Sequence, residues 1–125
     1  MTDTLVVLDE SETLADLEEN TERFSLRHLP VVDGERLVGI ITHRDILRAA
    51  VLNGQRREGD PPLTVREIMS RDVVTVPPSQ PLTLAADLIL ERKTGCLLVV
   101  DESGSLLGIV TENDFLRLAR TLLAE

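Results

Sequence analysis

The heptapeptide GIITHRD, Gly39 to Asp45, returns 69 positions later as GIVTEND, Gly108 to Asp114. Both copies keep glycine, two β-branched residues, threonine, two variable polar positions and aspartate. Working outward from the pair, a shift of 68 lays Met1 on Met69, Leu5 to Leu8 on Val73 to Val76, Leu14 on Leu82, and Leu29 to Val32 on Leu97 to Val100. The shift steps to 69 where DGER (Asp33 to Arg36) becomes DESGS (Asp101 to Ser105). A hairpin loop absorbs one such residue without disturbing strand register. The chain is therefore an internal duplication along its whole length.

Each half reads as the same series of elements. A short strand (about Thr4 to Leu8; Val73 to Val76) leads into a helix (about Thr13 to Leu26; Pro81 to Lys93). A hairpin follows (His28 to Thr42; Cys96 to Thr111), and a second helix closes the unit (about His43 to Leu52; Glu112 to Leu123). The fold class is α/β (α+β), with the order βαββα twice. A chain of 125 residues, 42% hydrophobic, supports one compact core better than two independent ones, so the repeats are expected to share it. The expected bounds are residues 1–52 for the first repeat, 53–68 for a linker and 69–125 for the second repeat. NGQRREGDPPLT, Asn53 to Thr64, has the glycine, proline and charge of a linker, and VREIM after it reads as a short helical turn.

The helices differ in their apolar faces. Leu14, Leu17, Thr21 and Phe24 make one narrow stripe, whereas Leu82 to Leu90 is apolar nearly all round. Phe115 to Leu123 carries two stripes, Phe115/Leu118/Leu122 and Leu116/Ala119/Leu123. One stripe can pack inside the chain and the other needs a partner, which predicts a homodimer through helices 81–93 and 112–124.

Charge and composition exclude several functions. Twenty-two acidic against thirteen basic residues give a net charge of -9, which disfavours nucleic acid, as does an aromatic content of two phenylalanines. The acids crowded between Asp9 and Glu22 read as a solvated helix face. No apolar run approaches the roughly 18 to 20 residues that span a bilayer, and MTDTLVVLDE lacks the layout of a signal peptide. The expectation is a soluble cytoplasmic protein with no membrane partner. The single cysteine, Cys96, lies in the apolar run GCLLVV and reads as a small core residue. With His28 and His43 outside any ligand-type cluster and no phosphate loop, neither a nucleophile, a metal site nor an enzyme is indicated.

The T-x-x-D core of the repeated motif supports two readings. Structurally it is a capping box, with Thr42 or Thr111 as N-cap and Asp45 or Asp114 at the third helical position. Functionally, a helix N-terminus offers unpaired N–H groups to a phosphate. A carboxylate at that point can accept from both hydroxyls of a ribose. Glycine at the strand would let a ligand come close to the backbone.

LPVVD (Leu29 to Asp33) followed by GIITHRD, and LLVVD (Leu97 to Asp101) followed by GIVTEND, resemble two cystathionine-β-synthase-type (CBS) domains forming one Bateman module. The resemblance covers essentially the whole chain. It implies pseudo-twofold packing and two clefts between the repeats that in many members hold AMP, ADP, ATP or S-adenosylmethionine, with magnesium accompanying a polyphosphate. By position, Asp45 and Asp114 would hold ribose hydroxyls, and Thr42 and Thr111 would contact ribose or phosphate. Adenine would lie against Leu29, Pro30 and Ile40, and against Leu97, Leu98 and Ile109. Thr75 matches a position near the base, and Val7 in its place in the first half departs from the pattern. RHLPVVD resembles variants with basic residues before the L-P dipeptide, which nominates Arg27, His28, His43, Arg44 and Arg48 as the phosphate end. At the equivalent places the second half has Gly95, Cys96, Glu112, Asn113 and Arg117. Glu112 would repel a polyphosphate, so that motif is expected to suit a less charged ligand or none.

The expected function is a regulatory module that senses an adenine nucleotide, acting as a separate subunit on a partner protein. The alternative is a ligand-free interaction module in which T-x-x-D only caps helices.

Overall fold

The computed structural model describes residues 6–19 and 28–124. Along the first half run β1 (Leu8–Asp9), α1 (Leu14–Glu19), β2 (His28–Asp33), β3 (Arg36–Thr42) and α2 (His43–Gly54), followed by a single turn, α3 (Val65–Ile68). The second half gives β4 (Thr75–Val76), α4 (Leu82–Arg92), β5 (Cys96–Val100), β6 (Leu106–Thr111) and α5 (Glu112–Leu123). The βαββα order is present twice, in a mixed α+β fold with two three-stranded sheets.

The central strand of each sheet is the first strand of the hairpin, which carries the most continuous apolar run. Its neighbours are the other hairpin strand, antiparallel, and the short opening strand, parallel. Leu8 pairs with Val31 and Val76 with Val99, so the parallel register repeats at the same shift of 68 (76 − 8; 99 − 31). Both hairpins slip by one residue, between Val31 and Val32 and between Val99 and Val100, directly beside the pairs Val31–Gly39 and Val99–Gly108. The motif glycine therefore marks a bulge in each sheet. At the tip of the first hairpin Gly34 takes φ +65°, a left-handed turn conformation that suits glycine.

The opening strands are shorter than the sequence suggests. Val6 and Val7 are not in a strand and β1 begins at Leu8, while the expected Thr4 and Leu5 lie outside the described residues. Val73 and Val74 likewise precede β4. The first helix starts as expected, because Thr13 caps it: the Asp16 amide donates to Thr13 Oγ1 at 3.2 Å and the Thr13 amide donates to Asp16 Oδ2 at 3.0 Å. Its expected continuation through Thr21 and Phe24 lies outside the described residues. Lys93 closes α4 in the left-handed conformation, φ 52°.

The described residues fall into two compact units that meet in sequence between Val73 and Val74, and each has its own apolar cluster. In the first, Leu8, Leu17, Leu29, Val31, Ile41 and Ala49 pack together. In the second, Ala85 and Ile89 of α4 cover Val76, Leu97, Val99 and Val110, with Phe115 packed alongside.

The segment read as a linker does not behave as one along its length. Leu63, Val65, Ile68 and Met69 are buried members of the first cluster. Backbone bonds fasten them: Leu14 N to Leu63 O at 2.8 Å, Val65 N to Glu12 O at 2.7 Å and Arg66 N to Glu10 O at 3.1 Å. A further pair joins Ile40 and Ser70, each amide donating to the other's carbonyl at 2.9 Å. The second repeat, expected from Met69, thus yields Met69 to Val73 to the first unit.

The outer faces of the helices are apolar. Of α5, Phe115 reaches the core, and Leu116, Leu118, Leu122 and Leu123 are exposed, the last at 86%. More of this helix is uncovered than the one stripe expected. Leu82, Leu84 and Leu90 of α4 are also exposed, and so are Leu47, Val51 and Leu52 of α2, which the sequence reading did not single out. None of the described helices is long and apolar enough to cross a membrane.

Candidate functional site

Each copy of the motif ends a strand and starts a helix, and the change of period from two to 3.6 falls on the threonine. Thr42 and Thr111 keep extended backbone, ψ 171° and 167°, and cap α2 and α5 in capping boxes. At the first junction Asp45 Oδ2 accepts from the Thr42 amide at 2.9 Å and from Thr42 Oγ1 at 3.1 Å. Oδ1 accepts from Arg48 Nη2 at 2.7 Å and from Ser70 Oγ at 3.0 Å. Arg48 also reaches the Ile68 carbonyl at 3.4 Å. Asp45 is 2% exposed, the one buried charged residue among those described. A buried carboxylate is tolerated because charged and neutral donors fill its acceptor places.

The second junction has the same skeleton and less cover. Asp114 Oδ2 accepts from the Thr111 amide at 2.8 Å and Thr111 Oγ1 at 3.3 Å, and Oδ1 accepts from Arg117. Its side chain is 15% exposed against 3% for Asp45. Burial pushes the Asp114 carboxyl up, but the Thr111 amide and the Arg117 guanidinium outweigh it and hold it below the ordinary value of 3.8.

The CBS domain model matches residues 1–52 and 65–121, one match on each repeat. The chain belongs to the CBS-domain family. Over 121 residues it is 35% identical to the uncharacterized protein MJ1225 of Methanocaldococcus jannaschii, a match covering 90% of this chain and 43% of that protein. Among solved structures, the acetoin utilization protein AcuB of Vibrio cholerae superposes with TM-score 0.82 at 34% identity, covering 99% of this chain and 89% of the other. CBSX2, solved in complex with AMP, superposes with TM-score 0.77 at 31% identity, covering 94% and 89%. The chain spans less than half the length of the curated relatives it matches, several of which are inosine-5'-monophosphate dehydrogenases.

The residues nominated for a CBS ligand fall into distinct environments. His43 and Arg44 are exposed at the first turn of α2. Arg48, nominated for phosphate, is ion-paired with Asp45. His28 is half-buried at the start of β2, paired with Thr42 across the hairpin. Arg27 lies outside the described residues. Of the adenine candidates, Leu29 and Leu97 are wholly buried within the two apolar clusters. Pro30, Ile40, Leu98 and Ile109 alternate with them on the strands and belong to the other face of each sheet, where Pro30 pairs with Ile40 and Leu98 with Ile109. Thr75 is exposed at the start of β4.

Sequence reasoning missed Ser70. Its hydroxyl sits on the Asp45 carboxylate although 25 positions separate the two. The only signal was its place in the internal alignment, one residue after Met69. Cys96 is buried in β5, and burial pushes its thiol up to about 11, far from nucleophilic character at neutral pH.

Proposed function

We propose that the chain is a regulatory CBS module that binds an adenine nucleotide at a T-x-x-D junction and passes the binding event on as a change in conformation or assembly. The observation that carries this reading is the duplicated strand-to-helix junction itself, with an aspartate fixed at the mouth of a helix N-terminus. The positive end of the helix dipole suits a phosphate, and the carboxylate suits a ribose diol. The AMP held by CBSX2 supports an adenine ligand. AMP, ADP and ATP, with or without magnesium, and S-adenosylmethionine are the ligands to try. In the second repeat Thr111 and Asp114 are the ribose end, with Thr75, Leu98 and Ile109 as contacts for a base; in the first repeat Thr42 and Asp45 are the ribose end, with Pro30 and Ile40 as contacts for a base and His43 and Arg44 as cations for phosphate.

A second copy of the chain covers the exposed leucines of α4 and α5, giving a homodimer, and a separate protein reads the state of the module. A reducing cytoplasm is the compartment that suits its single, buried thiol.

The test is the melting temperature of nucleotide-free protein with each ligand, beside Asp114→Asn. Ligand at 100 times its dissociation constant adds about 2.7 kcal/mol, a shift of several degrees. The expected result is a shift with at least one ligand that Asp114→Asn abolishes. No shift with any of them would leave an interaction module built on the apolar helices.

A further inference from the structure

The apolar outer faces of α2 and α4 carry opposite charge. On α2, burial of Asp45 and Ala49 turns Leu47 and Val51 outward, 69% and 63% exposed. Arg44 and Arg48 are exposed beside them, so one stripe holds Arg44, Leu47, Arg48 and Val51 at helical spacing. Arg48 lends Nη2 to Asp45 and its side chain still stays 58% exposed. Asp45 is the one carboxylate on this helix and it is buried, so the outer face carries no negative charge in a chain whose net charge is -9.

On α4, burial of Ala85 and Ile89 turns the opposite side outward. That side sets exposed Leu84 and Leu90 beside exposed Asp87 and Glu91. The cations at the C-terminal end of α4 stand off this face. Arg92 follows buried Ala85 by two turns and falls in line with the core side, and Lys93 leaves the helix at its left-handed C-cap. Asp87 and Glu91 have the same i, i+4 spacing as Arg44 and Arg48, so both pairs can form at once between helices laid face to face.

The other helices suit α2 less well. The exposed charges of α5 are Arg117 and Arg120 against Glu112, which repeats the sign of α2. Described α1 offers the exposed acid Asp16, but no exposed large apolar residue is found among its described residues.

We propose that α2 of one copy of the chain packs on α4 of a second copy. A twofold dimer repeats the contact, with α2 of each copy on α4 of the other. The pairing rests on the homodimer reading above and adds which helix meets which. Two α2 faces brought together would set arginines against arginines, and two α4 faces carboxylates against carboxylates, so charge selects against pairing like with like.

The test is sedimentation equilibrium of the nucleotide-free whole chain at low salt, so that the nomination of Arg44 for phosphate does not enter. The variants are Arg44→Glu, Asp87→Arg and the two together. Each single reversal should weaken the dimer by about tenfold or more, because symmetry makes it act at both contacts, and the double variant should recover most of the loss. The differences should shrink at high salt. A dimer unmoved by either single reversal would overturn the pairing and leave like faces together. A loss with Asp87→Arg that Arg44→Glu neither shares nor repairs would overturn it in favour of another helix on α4. A parent monomeric at every concentration removes the homodimer itself; if each reversal then lowers the melting midpoint and the double variant restores it, the contact lies within one chain.

Discussion

Replacing Gly39 by alanine tests the contact between β3 and the segment that follows α3. The added Cβ would meet Met69 Sδ at 2.7 Å and Ser70 O at 2.9 Å, both well inside ordinary contact. Met69 can turn its thioether aside, since methionine adapts at small cost. The Ser70 carbonyl cannot, because it belongs to backbone bonded in both directions to Ile40 at 2.9 Å. Relief therefore means losing that pair of hydrogen bonds, about 1 kcal/mol each, or accepting overpacking of about 1 to 3 kcal/mol. A destabilisation of about 2 to 3 kcal/mol follows. With an unfolding entropy of about 2.1 cal/mol/K for each of 125 residues, 1 kcal/mol corresponds to roughly 4 °C, so the midpoint should fall by about 8 to 12 °C. Gly54→Ala is the control: Gly54 ends α2 with nothing within 4 Å of its would-be Cβ, and alanine there should be neutral or slightly stabilising. The measurement is thermal and urea denaturation of both variants. A Gly39→Ala midpoint within 2 °C of the parent would mean that Met69 and Ser70 do not lie against Gly39.

Three further outcomes are expected. Asp114 has its pKa lowered by folding, so its ionised form stabilises the fold fully above the unfolded value of 3.8, and that contribution is lost as pH falls through the lower folded value. The gap in urea stability between the parent and Asp114→Asn should thus be constant near neutrality and close below about pH 4; a gap that closes only in alkali would contradict it. Cys96 should resist a thiol reagent at pH 8 in the native protein and react fully in denaturant; rapid native reaction would place it outside the core. Leu116→Glu with Leu123→Glu should convert a dimer to a monomer in sedimentation equilibrium, and a parent already monomeric at micromolar concentration would remove the role given to those leucines.

Local patterns carried most of the fold. The hairpins were legible because alternation and a glycine turn are written into adjacent residues, and α5 runs from Glu112 to Leu123 as read because Thr111 and Asp114 announce its start. The placement of Leu29 and Leu97 in the cores was also available: period-two alternation sets them on the opposite face from Pro30 and Leu98, a distinction that treating the run as one apolar patch obscured. What composition concealed was the fate of the segment after α2. NGQRREGDPP has the residues of a loop, but Leu63, Val65, Ile68 and Met69 beyond it find partners some thirty to fifty positions back, and no local pattern specifies pairings at that distance. The same holds for Ser70 on Asp45. T-x-x-D was read correctly as a cap in both copies.

The stretch of chain that was duplicated and the stretch that folds are not the same. The duplicated unit ends near Leu52, whereas the first compact unit runs on to Val73. On a ribosome the first core would stay open over Leu8, Leu14 and Ile41 until some twenty more residues had emerged to bring Leu63, Val65 and Ile68 into place. A fragment cut at the repeat boundary would expose that core to solvent, and one cut after Val73 would close it. For this chain, a minimal first module begins with the repeat and ends with the strap that crosses it.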